Sequence, residues 1–253
     1  MNFRKMMMAC ALLIASCCLQ AQTKVIAHRG FWKTPGSSQN GITALQKADS
    51  IGCYGSEFDV WLAKDNKLVV NHDPVFKMKF MEYSKADVLT GLRLSNGEYL
   101  PSLERFLQAG QKNTTKLVLE LKAHRNTKRE TKAVQEIIAM VKRMGLEKRM
   151  EYISFSLHAT KEFIRLAPAG TPVFYLNGDL SPKELKEIGC TGPDYQLGVF
   201  RKNPEWIKEC HDLNMKVNVW TVDKAEDMEW LIEKKVDFIT TNEPVVLLNL
   251  LKK

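Results

Sequence analysis

The sequence predicts an α/β protein, a (β/α)8 TIM barrel with a small insertion after the second strand. Short apolar runs alternate with helical patterns from residue 24 to residue 251, which is typical of parallel βαβ units. Eight such runs occur, and eight strands close into a barrel. The chain has 253 residues, 45% hydrophobic and 26% charged, which favours a globular domain over a disordered, collagen-like or polytopic membrane protein.

Strands and helices follow one another in a regular order. The predicted strands are residues 25–28, 56–62, 116–122, 152–156, 172–176, 195–200, 216–222 and 238–241. The predicted helices are residues 41–51, 102–110, 128–144, 160–166, 182–188, 204–213, 224–234 and 244–251. Ser181-Pro182 and Asn203-Pro204 place a capping residue before a proline, which is a typical helix start. Each helix therefore connects one barrel strand to the next.

One stretch interrupts this alternation after the second strand. Residues 67–70 predict a strand that returns across a turn at Asp65-Asn66, and an excursion of about 25 residues then reaches Leu100. Long excursions in compact domains are usually functional. We therefore expect this insertion to lie over the catalytic face.

The formal net charge of +8 does not by itself predict a nucleic-acid-binding protein. The basic residues are dispersed, and no basic run is interleaved with aromatic residues in the manner of a base-stacking groove. No nucleic-acid partner is therefore expected.

Residues 1–21 have the pattern of a signal peptide. Arg4 and Lys5 precede a mostly apolar run, which is shorter than the roughly 20 residues that a membrane-spanning helix needs. We expect export to the periplasm or to the envelope, with residues 22–253 as the folded domain. Residues 14–17 resemble a lipobox that would leave a lipidated Cys17, whereas cleavage after Ala21 would release a soluble protein. Membrane contact is expected only through that anchor.

Acidic residues lie two apart on the second strand and recur on the third. Glu57 and Asp59 point to the same side of their strand, and Glu120 lies on the neighbouring strand about 4.8 Å away. Three carboxylates without a Cys or His pattern favour one divalent cation, Mg²⁺ or Ca²⁺, over zinc. The alternative is a structural ion network in which Lys122 and Arg29 neutralise the acids.

Two histidines at strand ends are candidates for acid–base chemistry. His28 closes the first strand, and His72 follows the predicted return strand. Imidazole titrates near neutrality, so one ring can accept a proton while the other donates one. Arg29 and Lys122 are cationic donors suited to a phosphate group. The combination indicates phosphoryl transfer or phosphodiester cleavage.

The other histidines and the cysteines have simpler interpretations. Loop hydrogen bonding is expected for His124, His158 and His211. Three cysteines lie outside the leader, and their odd number and wide spacing argue against a disulfide framework or a zinc site. We expect Cys53, Cys190 and Cys210 to be buried as small hydrophobic residues.

Six ordered motifs resemble those of the glycerophosphodiester phosphodiesterase family. They are Val25-Ile26-Ala27-His28-Arg29-Gly30, Glu57-Phe58-Asp59-Val60, Asn71-His72-Asp73, Glu120-Leu121-Lys122, Val219-Trp220-Thr221-Val222 and Ile239-Thr240-Thr241-Asn242-Glu243-Pro244. The resemblance covers essentially all of residues 22–253. It implies a metal-dependent (β/α)8 enzyme that hydrolyses glycerophosphodiesters to glycerol 3-phosphate and an alcohol.

The resemblance also implies a role for each matching residue. Glu57, Asp59 and Glu120 would hold the metal, and His28 and His72 would be the acid–base pair. Arg29 and Lys122 would contact the phosphate, and Trp220 would line the pocket.

Two positions depart from the family pattern. Gln39, expected beside the substrate, replaces a usual glutamate, and Asn242 replaces a usual acid near the last strand. The Gln39 amide can accept a hydrogen bond but adds no charge to a cation site.

Two other functions fit the same pattern. A lyase of the phospholipase type, acting on phosphatidylinositol or sphingolipids, would also use two histidines and would release a stable cyclic phosphate. A non-catalytic exported protein that binds a phosphodiester would show saturable binding without a product.

Overall fold

A computed structural model describes residues 22–252 and shows a closed barrel of eight parallel strands. The barrel closes because the first strand pairs in parallel with both the second and the last. The strands are β1 (Lys24–Ala27), β2 (Gly55–Leu62), β3 (Leu68–Val70), β4 (Val75–Phe76), β5 (Lys79–Phe80), β6 (Lys116–Leu121), β7 (Met150–Ser154), β8 (Val173–Tyr175), β9 (Gly192–Gln196), β10 (Asn218–Trp220) and β11 (Phe238–Thr241). All except β3, β4 and β5 belong to the barrel wall. The predicted fold class is confirmed.

Helices connect the wall strands. They are α1 (Ile42–Ser50), α2 (Ala86–Thr90), α3 (Leu103–Gly110), α4 (Thr127–Arg143), α5 (Leu157–Leu166), α6 (Pro182–Glu187), α7 (Leu197–Lys202), α8 (Glu205–Asp212), α9 (Ala225–Glu233) and α10 (Pro244–Leu250), with 3-10 turns at Met81–Tyr83 and Glu147–Arg149. Ser181 and Glu184 form a reciprocal capping box at the start of α6, next to Pro182. The start predicted there is confirmed.

One predicted strand is wrong in position. Residues 195–200 were expected to form the sixth strand, but β9 ends at Gln196 and α7 begins at the next residue. The Gln196 side chain accepts a hydrogen bond from the Gly198 backbone N–H at 2.6 Å and caps the helix. The apolar residues after Gln196 therefore form a helix, and the strand begins three residues earlier than predicted, at Gly192.

The insertion after β2 begins as predicted, with a turn and a return strand. β3 pairs antiparallel with β2, with Val60 opposite Val70 and Leu62 opposite Leu68. The hairpin β4–β5, one 3-10 turn and α2 follow it. An apolar cluster joins the insertion to β2 and β3, and its buried members are Trp61, Ala63, Val69, Met81, Ala86, Leu89, Leu94 and Leu100.

Apolar residues fill both the inside of the barrel and the layer between its wall and the helices. The inner cluster is formed by Ile26, Val118, Ile153, Phe174, Leu176 and Phe238. Cys53, Cys190 and Cys210 are free and at most 5% exposed, and burial raises the pKa of each thiol to about 12. The expectation of unpaired, buried cysteines is confirmed.

The predicted signal peptide and its Cys17 lipobox lie outside the described residues. Among residues 22–252, no helix has the length and apolar character needed to cross a bilayer.

Candidate active site

Three carboxylates meet at the carboxyl end of β2 and β6. The strand register sets Asp59 directly beside Glu120, and Glu57 lies two residues earlier on the same strand. One oxygen from each carboxylate lies within 4.8 Å of one oxygen from each of the other two. Glu57, Asp59 and Glu120 are only 2%, 1% and 7% exposed. Repulsion at this distance is unfavourable in a buried site, so the cluster requires compensating positive charge.

Burial and mutual repulsion separate the pKa values of the three carboxyls. Burial, together with the charges of Asp59 and Glu120, raises the pKa of Glu57 well above its ordinary value. Burial and the charge of Asp59 raise the pKa of Glu120 to about 7. Burial acts in the same direction on Asp59, but the opposite charge of Lys122, helped by a hydrogen bond from Asn40, holds its pKa below the ordinary value.

Two cations partly neutralise this cluster. Lys122 Nζ lies 2.7 Å from Glu120 and 3.3 Å from Asp59. Arg29 Nε lies 3.8 Å from Asp59, and the Arg29 backbone N–H donates to Glu57 Oε2 at 2.7 Å. Arg29 has a φ of 56°, an uncommon conformation that directs this N–H at the carboxylate.

The structural ion network considered above is therefore present, but it does not satisfy the acids. Three carboxylates face two cations, and Glu57 Oε1 is buried without a hydrogen-bond partner among the described residues. A buried oxygen of this kind, beside two more carboxylates, fits a hard divalent cation. Glu57, Asp59 and Glu120 are the residues that could hold it.

His28 is held by a chain of polar side chains at the end of the barrel. Its Nδ1 lies 2.9 Å from Asn242 Oδ1, and the Asn242 amide donates to Asp223 at 2.8 Å. Because Asp223 accepts only, it faces the amide NH₂ and leaves Asn242 Oδ1 toward His28 and the Trp32 indole. His28 therefore carries its proton on Nδ1, and its Nε2, 4.0 Å from Glu57, has a free lone pair.

The charge state of His28 follows from its surroundings. Burial, followed by the nearby charge of Arg29, lowers the pKa of His28 to about 4. The imidazole is therefore neutral at neutral pH and can accept a proton.

His72 reaches the same place from the insertion. Its backbone carbonyl accepts from the Trp61 indole at 3.3 Å, and its Nδ1 lies 2.7 Å from Asp73 Oδ1. His72 lines two adjoining cavities. The insertion therefore contributes one side of the site.

The two cavities differ in their lining. The first, about 270 Å³, has His28, Glu57 and Glu120 on one side and Phe155, Leu176 and Trp220 on the other. The Phe155 and Trp220 rings pack edge to face at 5.4 Å. Trp220 thus forms part of the wall of this cavity.

The second cavity, about 260 Å³, has a mainly polar lining. It is lined by Trp32, Ser37, Ser38, Gln39, Asn40, Asn71, His72, Asp73, Phe76, Leu94 and Ser95. Gln39 accepts from Arg29 Nη1 at 2.7 Å, so it contacts a cation rather than the acid cluster.

Three further polar residues of the site were not assigned a role from the sequence. Asn40 donates to Asp59 Oδ2 at 2.9 Å and accepts from the Asp59 backbone N–H at 3.0 Å. Asp223 orients Asn242, and Asp194 lines the first cavity. The position of Asn40 beside Gln39, within a motif of the family, could have indicated its role. No sequence pattern indicated a role for Asp223 or Asp194.

The remaining histidines do not line the cavities of the site, although His124 Nδ1 lies 2.6 Å from the backbone carbonyl of Lys122. His124 Nε2 accepts from the Leu62 backbone N–H at 2.9 Å, His158 lies 2.9 Å from Thr131 Oγ1, and His211 lies 3.1 Å from Asp237.

Comparisons with known proteins identify relatives along almost the whole chain. The model of the glycerophosphoryl diester phosphodiesterase family matches residues 28–246. A glycerophosphodiester phosphodiesterase from Caldanaerobacter subterraneus subsp. tengcongensis is 29% identical over 249 residues, which cover 92% of this chain and 99% of the relative.

Solved structures show the same barrel. The crystal structure of a glycerophosphodiester phosphodiesterase from Parabacteroides distasonis is 50% identical, with a TM-score of 0.90 and coverage of 92% of this chain and 98% of that one. An Oleispira antarctica phosphodiesterase, solved in complex with the product sn-glycerol-3-phosphate, is 19% identical with a TM-score of 0.78 and the same coverage. At that identity the likeness concerns the fold alone.

Proposed function

The chain belongs to the glycerophosphoryl diester phosphodiesterase family, and from that premise we propose that it hydrolyses glycerophosphodiesters to sn-glycerol 3-phosphate and an alcohol. The observation that carries the proposal is the meeting of three buried carboxylates and two histidines around one cavity. The product bound to the Oleispira antarctica phosphodiesterase is the product expected here.

Glu57, Asp59 and Glu120 would hold one divalent cation, Mg²⁺ or Ca²⁺. The unpartnered Glu57 oxygen and the excess of carboxylates over cations support this assignment. A bound cation supplies Lewis-acid polarisation of the substrate oxygens. Asn40 holds Asp59 in position by two hydrogen bonds.

His28 is proposed as the base of the first step. Its Nε2 takes the proton of the glycerol 2-hydroxyl as that oxygen attacks phosphorus, and His72 gives a proton to the departing alcohol oxygen. Water then opens the cyclic phosphate, with His72 accepting the proton of water and His28 returning its own to the 2-oxygen. The Asn242–Asp223 pair supports this order because it keeps the His28 proton on Nδ1.

Arg29 and Lys122 would bind the phosphate oxygens. Both lie beside the carboxylates and keep donors that the acids do not use up. Gln39 would orient Arg29 through its bond to Nη1, and Trp220 would cover the glycerol moiety.

The test is product release from a panel of glycerophosphodiesters with Mg²⁺ or Ca²⁺, measured as glycerol 3-phosphate. His28→Ala is expected to lower turnover about 10²- to 10⁴-fold, the usual contribution of an acid–base group. His158→Ala is the matched control, because His158 hydrogen-bonds Thr131 outside the site. Turnover of His28→Ala within tenfold of the parent protein would refute the assignment.

The same assay separates the other functions. A stable cyclic phosphate released from a lipid, without hydrolysis of glycerophosphodiesters, would identify a lyase. Saturable binding without any phosphate-ester product would identify a binding protein.

We also propose that residues 1–21 direct export. Cleavage removes either all of them, after Ala21, or the part that precedes Cys17. Mass spectrometry of the mature N-terminus distinguishes an acylated Cys17 from a free Gln22. An intact Met1 in the exported fraction would contradict both processing routes.

A further inference from the structure

A further buried carboxylate lines the cavity from a strand that is not adjacent to the acid cluster. Asp194 lies on β9, is 1% exposed and lines the cavity of about 270 Å³. Its Oδ1 has no hydrogen-bond partner among the described residues. A buried unpaired carboxylate oxygen is costly, so a donor is expected to reach it when the cavity is filled.

The surroundings of Asp194 are mainly apolar. Ile153, Phe155 and Leu176 line the same part of the cavity. The Trp220 indole donates to the Asp194 backbone carbonyl at 2.8 Å, so the ring and the carboxylate are held together. The Asp194 side chain also hydrogen-bonds Asn218, its register neighbour on β10, so Oδ1 is the oxygen that remains unpaired. An unpaired polar atom beside an apolar wall is typical of a group that selects a ligand.

Asp194 lies deeper in the barrel than Trp220. The register pairs Asp194 with Asn218 and pairs Gln196 with Trp220, so Asp194 is one layer further from the carboxyl ends of the strands, where the site opens. It also does not belong to the cluster of ligand oxygens formed by Glu57, Asp59 and Glu120. Its partner is therefore the innermost part of the substrate rather than the cation.

We propose that Asp194 selects the glycerol moiety by hydrogen-bonding its terminal hydroxyl. This inference rests on the proposed function. The glycerol end is common to all glycerophosphodiesters, whereas the alcohol varies and must leave through the mouth, so the enclosed end suits glycerol. The 2-hydroxyl is committed to attack on phosphorus, and the terminal hydroxyl remains to fill the unpaired position.

The inference does not depend on the charge of Asp194. A carboxylate accepts from a hydroxyl, and a protonated carboxyl donates to it. Burial raises the pKa of Asp194 well above its ordinary value, and the neutral and the charged form recognise the same group.

The test compares two substrates that differ by one oxygen. One is a glycerophosphodiester, and the other is its propane-1,2-diol analogue, which keeps the 2-hydroxyl and lacks the terminal one. The parent protein is expected to prefer the glycerol substrate by about 10- to 100-fold in kcat/KM, because the analogue leaves the buried Asp194 oxygen unpaired. Asp194→Ala is expected to reduce this preference to less than about threefold while leaving kcat/KM for the analogue nearly unchanged.

Two variants guard against a folding artefact. Asp194→Asn keeps the side-chain volume and is expected to retain part of the preference, because the amide still offers an oxygen acceptor and an NH₂ donor to a hydroxyl. Glu151→Ala removes another buried acid, which accepts from the Tyr54 hydroxyl and lines neither cavity of the site. It is expected to lower the melting temperature without changing the preference.

A binding measurement separates this inference from the proposed function. Calorimetric titration measures the binding of glycerol 3-phosphate and of propane-1,2-diol 1-phosphate in the presence of Mg²⁺ or Ca²⁺. Tighter binding of glycerol 3-phosphate that is lost in Asp194→Ala supports the inference even if turnover fails. Equal losses for both ligands, or a preference that persists in Asp194→Ala, would overturn it.

Discussion

The two sides of the cavity are built on different principles. On the side of β1, β2 and β6, three carboxylates lie together, and Lys122 and Arg29 form ion pairs with two of them. On the side of β7 to β10, apolar side chains line the cavity around the carboxylate of Asp194. We therefore expect the acidic side to bind by charge and to respond to pH, and the apolar side to select by shape and by one hydrogen bond.

Removal of one charge from the acidic side is expected to have the largest effect on activity. Glu57→Gln keeps the shape of the side chain but loses a charged oxygen, and kcat/KM is expected to fall about a thousandfold or more. Calorimetric titration with Mg²⁺ and Ca²⁺ should show a matching loss of affinity. Glu151→Gln, outside the site, should change neither quantity, and a Glu57→Gln protein within tenfold of the parent would contradict the charge-based account.

A change of pH should affect the acidic side in a defined direction. Because the pKa of Glu120 is raised to about 7, the cation-free protein holds a proton there below pH 7, and a cation must displace it. The Glu120 proton alone should therefore make the affinity for the cation rise by up to about tenfold per pH unit below pH 7. Titrations between pH 5 and pH 8 would show this, and Glu120→Gln should abolish that proton's contribution. A cation affinity that does not change between pH 5 and pH 8 would contradict this prediction.

The link between His28 and the end of the barrel should have an intermediate effect. In Asp223→Asn the Asn242 amide loses its fixed orientation, and His28 can take the tautomer with its proton on Nε2. We expect kcat to fall roughly twentyfold with little change in KM, since only the proton transfer is affected. Glu243→Gln alters the same ion cluster through Lys33 but does not touch Asn242, and it should be nearly silent.

If Asp223→Asn raised KM and left kcat unchanged, Asp223 would be acting on substrate binding instead. Steady-state kinetics of both variants at saturating cation distinguishes the two results.

The smallest expected effect lies on the apolar side. Trp220→Phe keeps an aromatic ring against Phe155 but loses the indole bond to the Asp194 carbonyl. We expect KM to rise about threefold and kcat to stay within twofold, because the ring contributes shape rather than charge. A larger fall in kcat would mean that the apolar side also affects the chemical step, which is expected to depend on the acidic side.

The acidic side could be placed from the sequence, and much of the apolar side could not. Residues two apart on a strand share a face, and neighbouring parallel strands lie side by side, so Glu57, Asp59 and Glu120 had to converge once the strands were known. Asp194 was not assigned to the site, because the sixth strand was predicted to begin after it. The apolar residues after Gln196 have the pattern of a strand, but the Gln196 side chain caps a helix there, α7.

The orientation of His28 was also beyond the sequence. Asp223 and Asn242 follow neighbouring strands, β10 and β11, and lie 19 residues apart. Whether the Asn242 oxygen or nitrogen faces the imidazole depends on that contact, and no local spacing pattern records it.

The two histidines are attached to different parts of the protein. His28 directly follows the wall strand β1, whereas His72 belongs to the insertion after β2, which packs against β2 and β3 through a separate apolar cluster. A change in the length or packing of that insertion would shift His72 relative to the phosphorus atom while leaving the carboxylates where they are. Substitutions in the insertion are therefore expected to alter turnover separately from cation affinity, which depends on the barrel strands.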